Sequence, residues 1–345
     1  MQTNQSTRVL ITGGGAPGAA GIIKCLRALN TCFILAVDIN PEAHGKYLAD
    51  AFEVIPKPDT QEFADSILAM CVRYKINCII PLVTKELEVF SELKNEFAKK
   101  GIHILISDPQ ALAIANHKGR LYQTLSKAGI SVPDFRIVHN WFEMHKAIQD
   151  LGYPQNEVII KPCQSNGLRG FRIVKAEVDE AALLLHHKPD NSYIQLKQLE
   201  SIFSHHPMPP YLVTEYLPGE EYTVDVLMHK GEALQIVPRK RIAMTHGIST
   251  KGKIENIPEI IAYVKEICAL VPMEWMIGVQ VKRARDGSFK LLEINPRVQG
   301  TTVACLGAGI NFPALAVTLA LEGTFQYTEP KWGVQFSRYW EEVYF

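Results

Sequence analysis

The sequence predicts a mixed α/β chain: a parallel sheet covered on both faces by helices, followed by α+β segments in which strands come to dominate. Three observations carry this. Between residues 8 and 107, short apolar runs alternate with amphipathic stretches whose apolar residues recur at three- and four-residue steps, the pattern of strands joined by crossover helices. The first run, RVLIT, enters a glycine cluster, GGGAPGAAG, and a helix-like pattern follows. From Tyr211 onward, strand-like runs outnumber helical ones.

In order, the strands expected in the first part are RVLIT, FILAVDI, FEVIP, NCIIPLV and IHILIS. Amphipathic stretches such as EFADSILAMCVRYK and KELEVFSELKNEFAKK lie between most of them, which gives a Rossmann-like domain over 1–107. After it the rhythm changes. HKGRLYQTLSKAG reads as a helix, SVPDFRIV as a strand entry, WFEMHKAIQDLG as a second helix, and EVIIKP and FRIVKA as strands flanking the loop QSNGLRG. This is a smaller α+β lobe, 108–210, and LKQLESIFSHHPMPP within it reads as a mobile connection. The third part, 211–345, holds the strands YLVTEYL, EYTVDVLMH, ALQIVPRKR, IGVQVKRA and FKLLEINPR, with helices over 255–271 and about 303–321. The aromatic tail QFSRYWEEVYF packs on the body or on a partner chain.

The chain has 345 residues, with 36 Lys plus Arg against 36 Asp plus Glu, a balance that argues against coating nucleic acid or a membrane surface. No run reaches the roughly 18 apolar residues of a membrane span. MQTNQST resembles no signal peptide, and the seven scattered cysteines read as reduced thiols, so a cytoplasmic protein is expected. The pairs His186-His187 and His205-His206 lack the companions of a zinc site.

Several motifs carry chemistry. In KLLEINPRVQG, strand alternation turns Glu293 and Asn295 to one side, a carboxylate and an amide oxygen suited to Mg²⁺, with Gln280 as a third oxygen. Lys161 ends an apolar strand before a loop with Gly167 and Gly170, a phosphate cradle or else a surface hairpin. In LVTEYLPGEEYTVDVLM, acidic residues flank a Pro-Gly turn whose backbone edge could read an adenine and a ribose. Lys118 could hold phosphate, and Arg239 and Arg241 phosphate or a substrate carboxylate. Cys163, beside Lys161, is a candidate reactive thiol.

Taken in order, Lys118, Lys161 with its loop, EYLPGEEY, Gln280 and EINPR resemble the ATP-grasp superfamily, in particular one synthetase half of the carbamoyl phosphate synthase large subunit. The resemblance implies a Rossmann-like pre-ATP-grasp domain followed by a two-lobed ATP-grasp module. It implies that Lys118 and Lys161 contact ATP phosphates and that the loop Gln164, Ser165, Asn166, Gly167 to Gly170 closes over them. It implies that the backbone of Glu215, Tyr216 and Leu217 reads the adenine and that Glu221 holds the ribose. Gln280, Glu293 and Asn295 would ligate Mg²⁺, with Mn²⁺ an alternative, and Arg297 would face the transferring phosphoryl group, with Lys161 and Arg239 as further catalytic cations. Departures are His117, where the family often has Asp, and Gln280, where Glu is common.

The activity this implies is ATP-dependent ligation. A carboxylate would be phosphorylated to an acyl phosphate and captured by an amine or ammonia, with ADP and phosphate released. Small-molecule substrates follow, with no nucleic-acid or membrane partner, and a homo-oligomer stays open. Gly13, Gly15 and Gly18 with Asp38 also fit a dinucleotide fingerprint, which supports a nicotinamide oxidoreductase as the rival. A non-catalytic ATP sensor is the third reading. Under the ligase reading the helix N-terminus at Gly14, Gly15 and Ala16 would hold the anionic carboxylate or acyl phosphate.

Overall fold

The computed structural model describes residues 6–29, 31–165, 167–186 and 192–344. The chain divides into two compact units: Met1–Ala113 with Glu221–Gln280 and Ile294–Phe345, and Ile114–Glu220 with Val281–Glu293.

The first unit begins with β1 (Arg8–Ile11), α1 (Ala19–Arg27), β2 (Phe33–Asp38), α2 (Gly45–Leu48), β3 (Ala51–Val54), α3 (Glu62–Tyr74), β4 (Cys78–Ile80), α4 (Leu87–Ala98), β5 (His103–Ile104) and α5 (Pro109–Ala115). Its five strands pair in parallel in the order β3-β2-β1-β4-β5. The continuous apolar runs have a physical reason, because both faces of this sheet are buried. Val9, Ile11, Ile34, Ala36 and Ile80 enter one core, and Leu10, Leu35, Val37 and Ile79 enter another with Phe63, Ile67 and Phe90. The predicted alternation of strands and helices is the one observed.

The second unit holds α6 (Lys118–Lys127), β6 (Phe135–Val138), α7 (Trp141–Asp150), β7 (Val158–Pro162), β8 (Arg172–Val174), α8 (Glu180–His186), β9 (Tyr193–Ile194), α9 (Leu196–Phe203) and β10 (Tyr211–Glu215). The strands order as β6-β10-β7-β8-β9, mostly antiparallel, over a core of Met144, Ile148, Ile160, Leu199 and Val213. One expectation is corrected here. Most of LKQLESIFSHHPMPP is helix, not a loose connection: Gln195 and Gln198 form a reciprocal capping box, and Leu199 is buried.

The chain continues through β11 (Glu221–His229), β12 (Glu232–Thr245), β13 (Ile248–Ile254), α10 (Pro258–Leu270), β14 (Trp275–Arg283), β15 (Phe289–Asn295), α11 (Phe312–Glu322) and β16 (Gln335–Ser337). These strands form a sheet in the order β15-β14-β11-β12-β13-β16. Leu227, Val237, Ile254, Met276 and Val298 belong to the same core as β1, and so do Phe312 and Val317 of α11. The helix expected near 303–321 is two pieces, a 3₁₀ segment (Thr302–Ala308) and α11, bent by 94°. Gly309 at φ +84° ends the first, and the Asn311 side chain caps the second. The tail divides: Gln335–Ser337 joins the sheet beside β13, while Trp340 beyond it is 95% exposed. Among the described residues no single helix is long and apolar enough to cross a membrane.

Candidate nucleotide site and glycine-loop crevice

Two lysines of the second unit lead to the same backbone segment. Lys161 lies on β7, 7% exposed, and its Nζ donates to the Leu292 carbonyl at 3.1 Å and to the Tyr122 hydroxyl at 3.3 Å. Tyr122, fully buried on α6, donates to the Leu291 carbonyl at 2.6 Å. Lys118, 8% exposed, opens α6; its Nζ donates to the Ser165 carbonyl at 2.7 Å and lies 3.3 Å from Glu293 Oε2. Carbonyl oxygens orient an ammonium without cancelling its charge. Two oriented ammonium groups beside a carboxylate fit a polyanion together with its counter-cation.

His117 explains its own departure from the family pattern. Its Nδ1 accepts the Arg120 N–H at 3.0 Å and so caps α6, the work a carboxylate does at an N-cap. Burial lowers the His117 pKa and keeps the ring a neutral acceptor. Cys163 is buried and its thiol is pushed up by desolvation, so it is no poised nucleophile, which corrects that expectation.

The loop after β7 holds Gly167 at φ +62°, Leu168 at +61° and Gly170 at +75°. A side chain on Gly170 would meet Pro162 at 2.6 Å, so only glycine lets the loop return against β7. Gln164 is exposed and Ser165 half-buried, while Asn166 lies outside the described residues. The Glu215 carboxylate takes Lys290 at 2.6 Å and the Asp134 N–H at 3.0 Å. Tyr216 and Leu217 fall between β10 and β11, outside the strand ladders.

In the first unit, Arg241 gathers two predicted residues. Its guanidinium pairs with Glu221 and donates to Gln280 Oε1 at 3.2 Å, with Ser249 Oγ at 3.1 Å also held. On β15, Glu293 and Asn295 are both half-buried with buried Ile294 between them, as alternation requires. One carboxylate with amide oxygens suits a hard cation. Among the described residues no three His, Cys, Asp or Glu side chains gather as a zinc site would need. Arg297 follows and donates to the Val298 carbonyl at 2.8 Å.

Arg239 lies deep in the first unit. It is 1% exposed and paired with Asp225, and it donates to the Thr301 hydroxyl at 3.0 Å. Asp225 in turn accepts from Thr302 at 2.6 Å. Asp225 holds the guanidinium above its ordinary pKa although burial works the other way. Arg239 is therefore a buried strut beneath the 299–302 turn.

The glycine loop is corrected too. The N–H groups expected to hold an anion are already donated: Gly14 to Val37 O at 3.0 Å, Gly15 to Asp38 Oδ2 at 2.7 Å, and Ala16 to Gly13 O at 2.8 Å. Asp38, the would-be ribose ligand, turns back on the loop and also accepts the Asn40 N–H at 2.8 Å. The glycines serve the fold. Gly13 needs φ +61°, and a Cβ on Gly18 would lie 2.3 Å from the Gly300 Cα. Pattern reading missed two groups here. Arg338, a tail residue with no motif around it, donates to the Pro17 carbonyl at 2.8 Å, its charge opposed by burial and by Arg239. Glu86 is 3% exposed and burial pushes it up to about 7.

The fold is of mixed α/β build, with a parallel-sheet domain ahead of an antiparallel module. Residues 207–341 match the family described as ATP-grasp in the biosynthetic pathway with Ter operon, and residues 9–105 match the PylC-like N-terminal domain. The chain is similar to the carbamoyl phosphate synthase large chain of Micrococcus luteus, 26% identical over 215 residues, which are 61% of this chain and 18% of that one. It is also similar to the formate-dependent phosphoribosylglycinamide formyltransferase of Flavobacterium psychrophilum, 28% identical over 173 residues, 50% of this chain and 42% of that one. The chain thus spans less than half the length of either relative. Among solved structures, an N5-carboxyaminoimidazole ribonucleotide synthetase in complex with ADP shares the fold at TM-score 0.70 and 15% identity, covering 96% of this chain and 80% of that one. The L-amino acid ligase of Bacillus licheniformis does so at TM-score 0.66 and 14% identity, covering 93% and 75%.

Proposed function

We propose that the protein is an ATP- and Mg²⁺-dependent ligase that phosphorylates a carboxylate and couples it to an amine or ammonia, releasing ADP and phosphate. The observation that carries this reading is the cluster of Lys118, Lys161 and Glu293, with both ammonium groups buried and oriented. The names of the relatives, which include synthases and ligases, agree with it.

In this reading Lys118 and Lys161 bind phosphate oxygens and hold them for in-line transfer, where catalysis is positioning and charge neutralisation. Glu293 and Asn295, with Gln280, would hold Mg²⁺, which supplies charge neutralisation at the phosphates. Glu293 would then exchange its Lys118 partner for the ion. The backbone of Glu215 to Leu217 would read the adenine, Glu221 the ribose, and the loop from Gln164 to Gly170 would cover the phosphates. Arg297 would face the transferring group. Arg338 beside the glycine loop would orient the carboxylate, since a guanidinium matches it with two N–H bonds.

The nicotinamide reading loses its footing at Asp38, whose oxygens are engaged by Gly15 and Asn40. Calorimetric titration with Mg-ATP and with NADH, then ADP release across carboxylate pools with and without amines, tests the proposal. Mg-ATP binding and carboxylate-dependent ADP release are expected. NADH binding without ATP binding would overturn it.

A further inference from the structure

We propose that Arg241 is a positioning residue for the nucleotide and its cation: one guanidinium fixes the oxygen that Gln280 offers the ion and the carboxylate that Glu221 offers the ribose. The roles of Glu221 and Gln280 are those of the ligase reading, on which this rests.

The placement follows from topology. β11 lies between β12 and β14. Arg241 stands on β12 and Gln280 on β14, two strand spacings or about 10 Å apart. Glu221 opens β11 between them. Two long side chains reaching toward each other bridge that gap, and Arg241 Nη1 meets Gln280 Oε1 at 3.2 Å.

The backbone aims the guanidinium. The pairing of β12 with β13 is irregular just beyond it, between Arg241 and Ala243 and again between Ala243 and Met244. Such irregularities bend a strand and re-aim its side chains. His246 at φ +49° and Gly247 at φ +77° then close the turn between the two strands, with both residues left-handed. That turn offers its Gly247 carbonyl to Arg241 Nη2 at 2.5 Å. Nε donates to Ser249 Oγ at 3.1 Å, and Nη1 is shared between Glu221 Oε1 and Gln280 Oε1. Every guanidinium nitrogen is engaged and the side chain is 6% exposed, so Arg241 is a fixed template and not a mobile surface charge.

The chemistry follows from what an amide can offer. Gln280 can present its oxygen or its NH₂, and only the oxygen serves a hard cation. A guanidinium donates and never accepts, so the end of Gln280 that it holds is the oxygen. A carbonyl oxygen has a second lone pair, which is left for the ion. A carboxylate would need no such help, because it carries oxygen at both ends. Glu221 balances the guanidinium charge in the same contact, and its second oxygen can accept from a ribose hydroxyl. Partners that orient a metal ligand from outside act in this way.

Mn²⁺ binding to the ADP complex of the full chain, measured by electron paramagnetic resonance, tests this as a double-mutant cycle of Arg241→Met and Gln280→Glu. Arg241→Met alone should weaken Mn²⁺ by about tenfold or more, the weight of an outer partner of a metal ligand. On top of Gln280→Glu the same change should weaken it by less than about threefold, since either carboxylate oxygen then serves. Equal losses in the two backgrounds overturn the proposal, because a mere brace of the hairpin would act whatever stands at position 280. Absence of loss in both overturns it as well. Metal-free ADP should also bind Arg241→Met more weakly by calorimetry, and equal affinity would overturn the part that concerns Glu221. If Arg241→Met loses its cooperative melt, Arg241→Lys, which keeps the charge without the planar fork, is held to the same criteria. The measurements need no turnover. Tight Mn-ADP binding with the expected coupling but no ADP release from any carboxylate would sink the ligase reading alone. Equal losses beside carboxylate-dependent ADP release would sink the role of Arg241 alone, and no Mn-ADP binding by wild type would sink both.

Discussion

At the scale of single residues, His117 shows a side chain taking over another's task. Replacing it with Ala removes the cap on α6 and should cost about 1 kcal/mol in unfolding free energy, while Asn should retain most of it. The pH dependence has a definite sign. The folded pKa of His117 lies below its ordinary 6.5, so its stabilisation is present above that value and is lost as pH falls through the folded pKa. The melting temperature of wild type should therefore drop relative to His117→Asn on acidification. Glu86 runs the opposite way. Its pKa is raised from 4.5 to about 7, so the stability tied to its protonated form is present below 4.5 and is lost as pH rises through 7. Glu86→Gln should melt above wild type at alkaline pH and close to it under acid conditions.

Arg239 and Arg241 mark a limit of reading by motif. They stand two apart on one strand, and no local feature of VPRKRIAM separates them. Burial against Asp225 does, and that contact joins positions far apart in sequence. Removing one partner of a buried ion pair costs about 3–5 kcal/mol. Asp225→Ala should thus show its damage in the unfolding midpoint, with Mg-ATP affinity of the folded fraction retained.

At the scale of elements, the parallel sheet was legible because its strands are buried on both faces and read as continuous apolar runs. β13 was not: its ISTKGKI interleaves polar residues with the few that it buries, Ser249, Gly252 and Ile254. Helix α9 hid behind a polar, histidine-bearing stretch whose capping box uses glutamines, and only Leu199 goes into the core. The glycine cluster was legible as a tight turn. That Gly18 faces Gly300, and that Asp38 occupies the Gly15 N–H, depends on contacts no short motif encodes. Gly18→Ala would press a methyl group onto the Gly300 backbone and push away the turn that follows Arg297. A loss of about 1–3 kcal/mol by denaturant unfolding is expected. Equal stability would show that the contact yields freely.

At the scale of the whole molecule, the lysines and the EINPR strand were legible because each motif sits at a strand or helix end that its own sequence marks. Glu86 and Arg338 carry no motif, and only the folded chain brings them beside the glycine loop. On the ligase reading, the choice of carboxylate and amine rests on such contacts and not on the motifs. Glu293→Ala should reduce ADP release by orders of magnitude while the chain still folds, because a half-buried site carboxylate is lost and no apolar core is disturbed.

On the ligase reading, ATP activates a carboxylate as an acyl phosphate. Trapping with hydroxylamine measures this directly, since an acyl phosphate yields a hydroxamate. Incubation with Mg-ATP, hydroxylamine and pooled carboxylates should give hydroxamate with ADP in equal amount, and Glu293→Ala should give none. Tight Mg-ATP binding with neither hydroxamate nor ADP from any carboxylate would contradict the account and mark the protein as an ATP sensor.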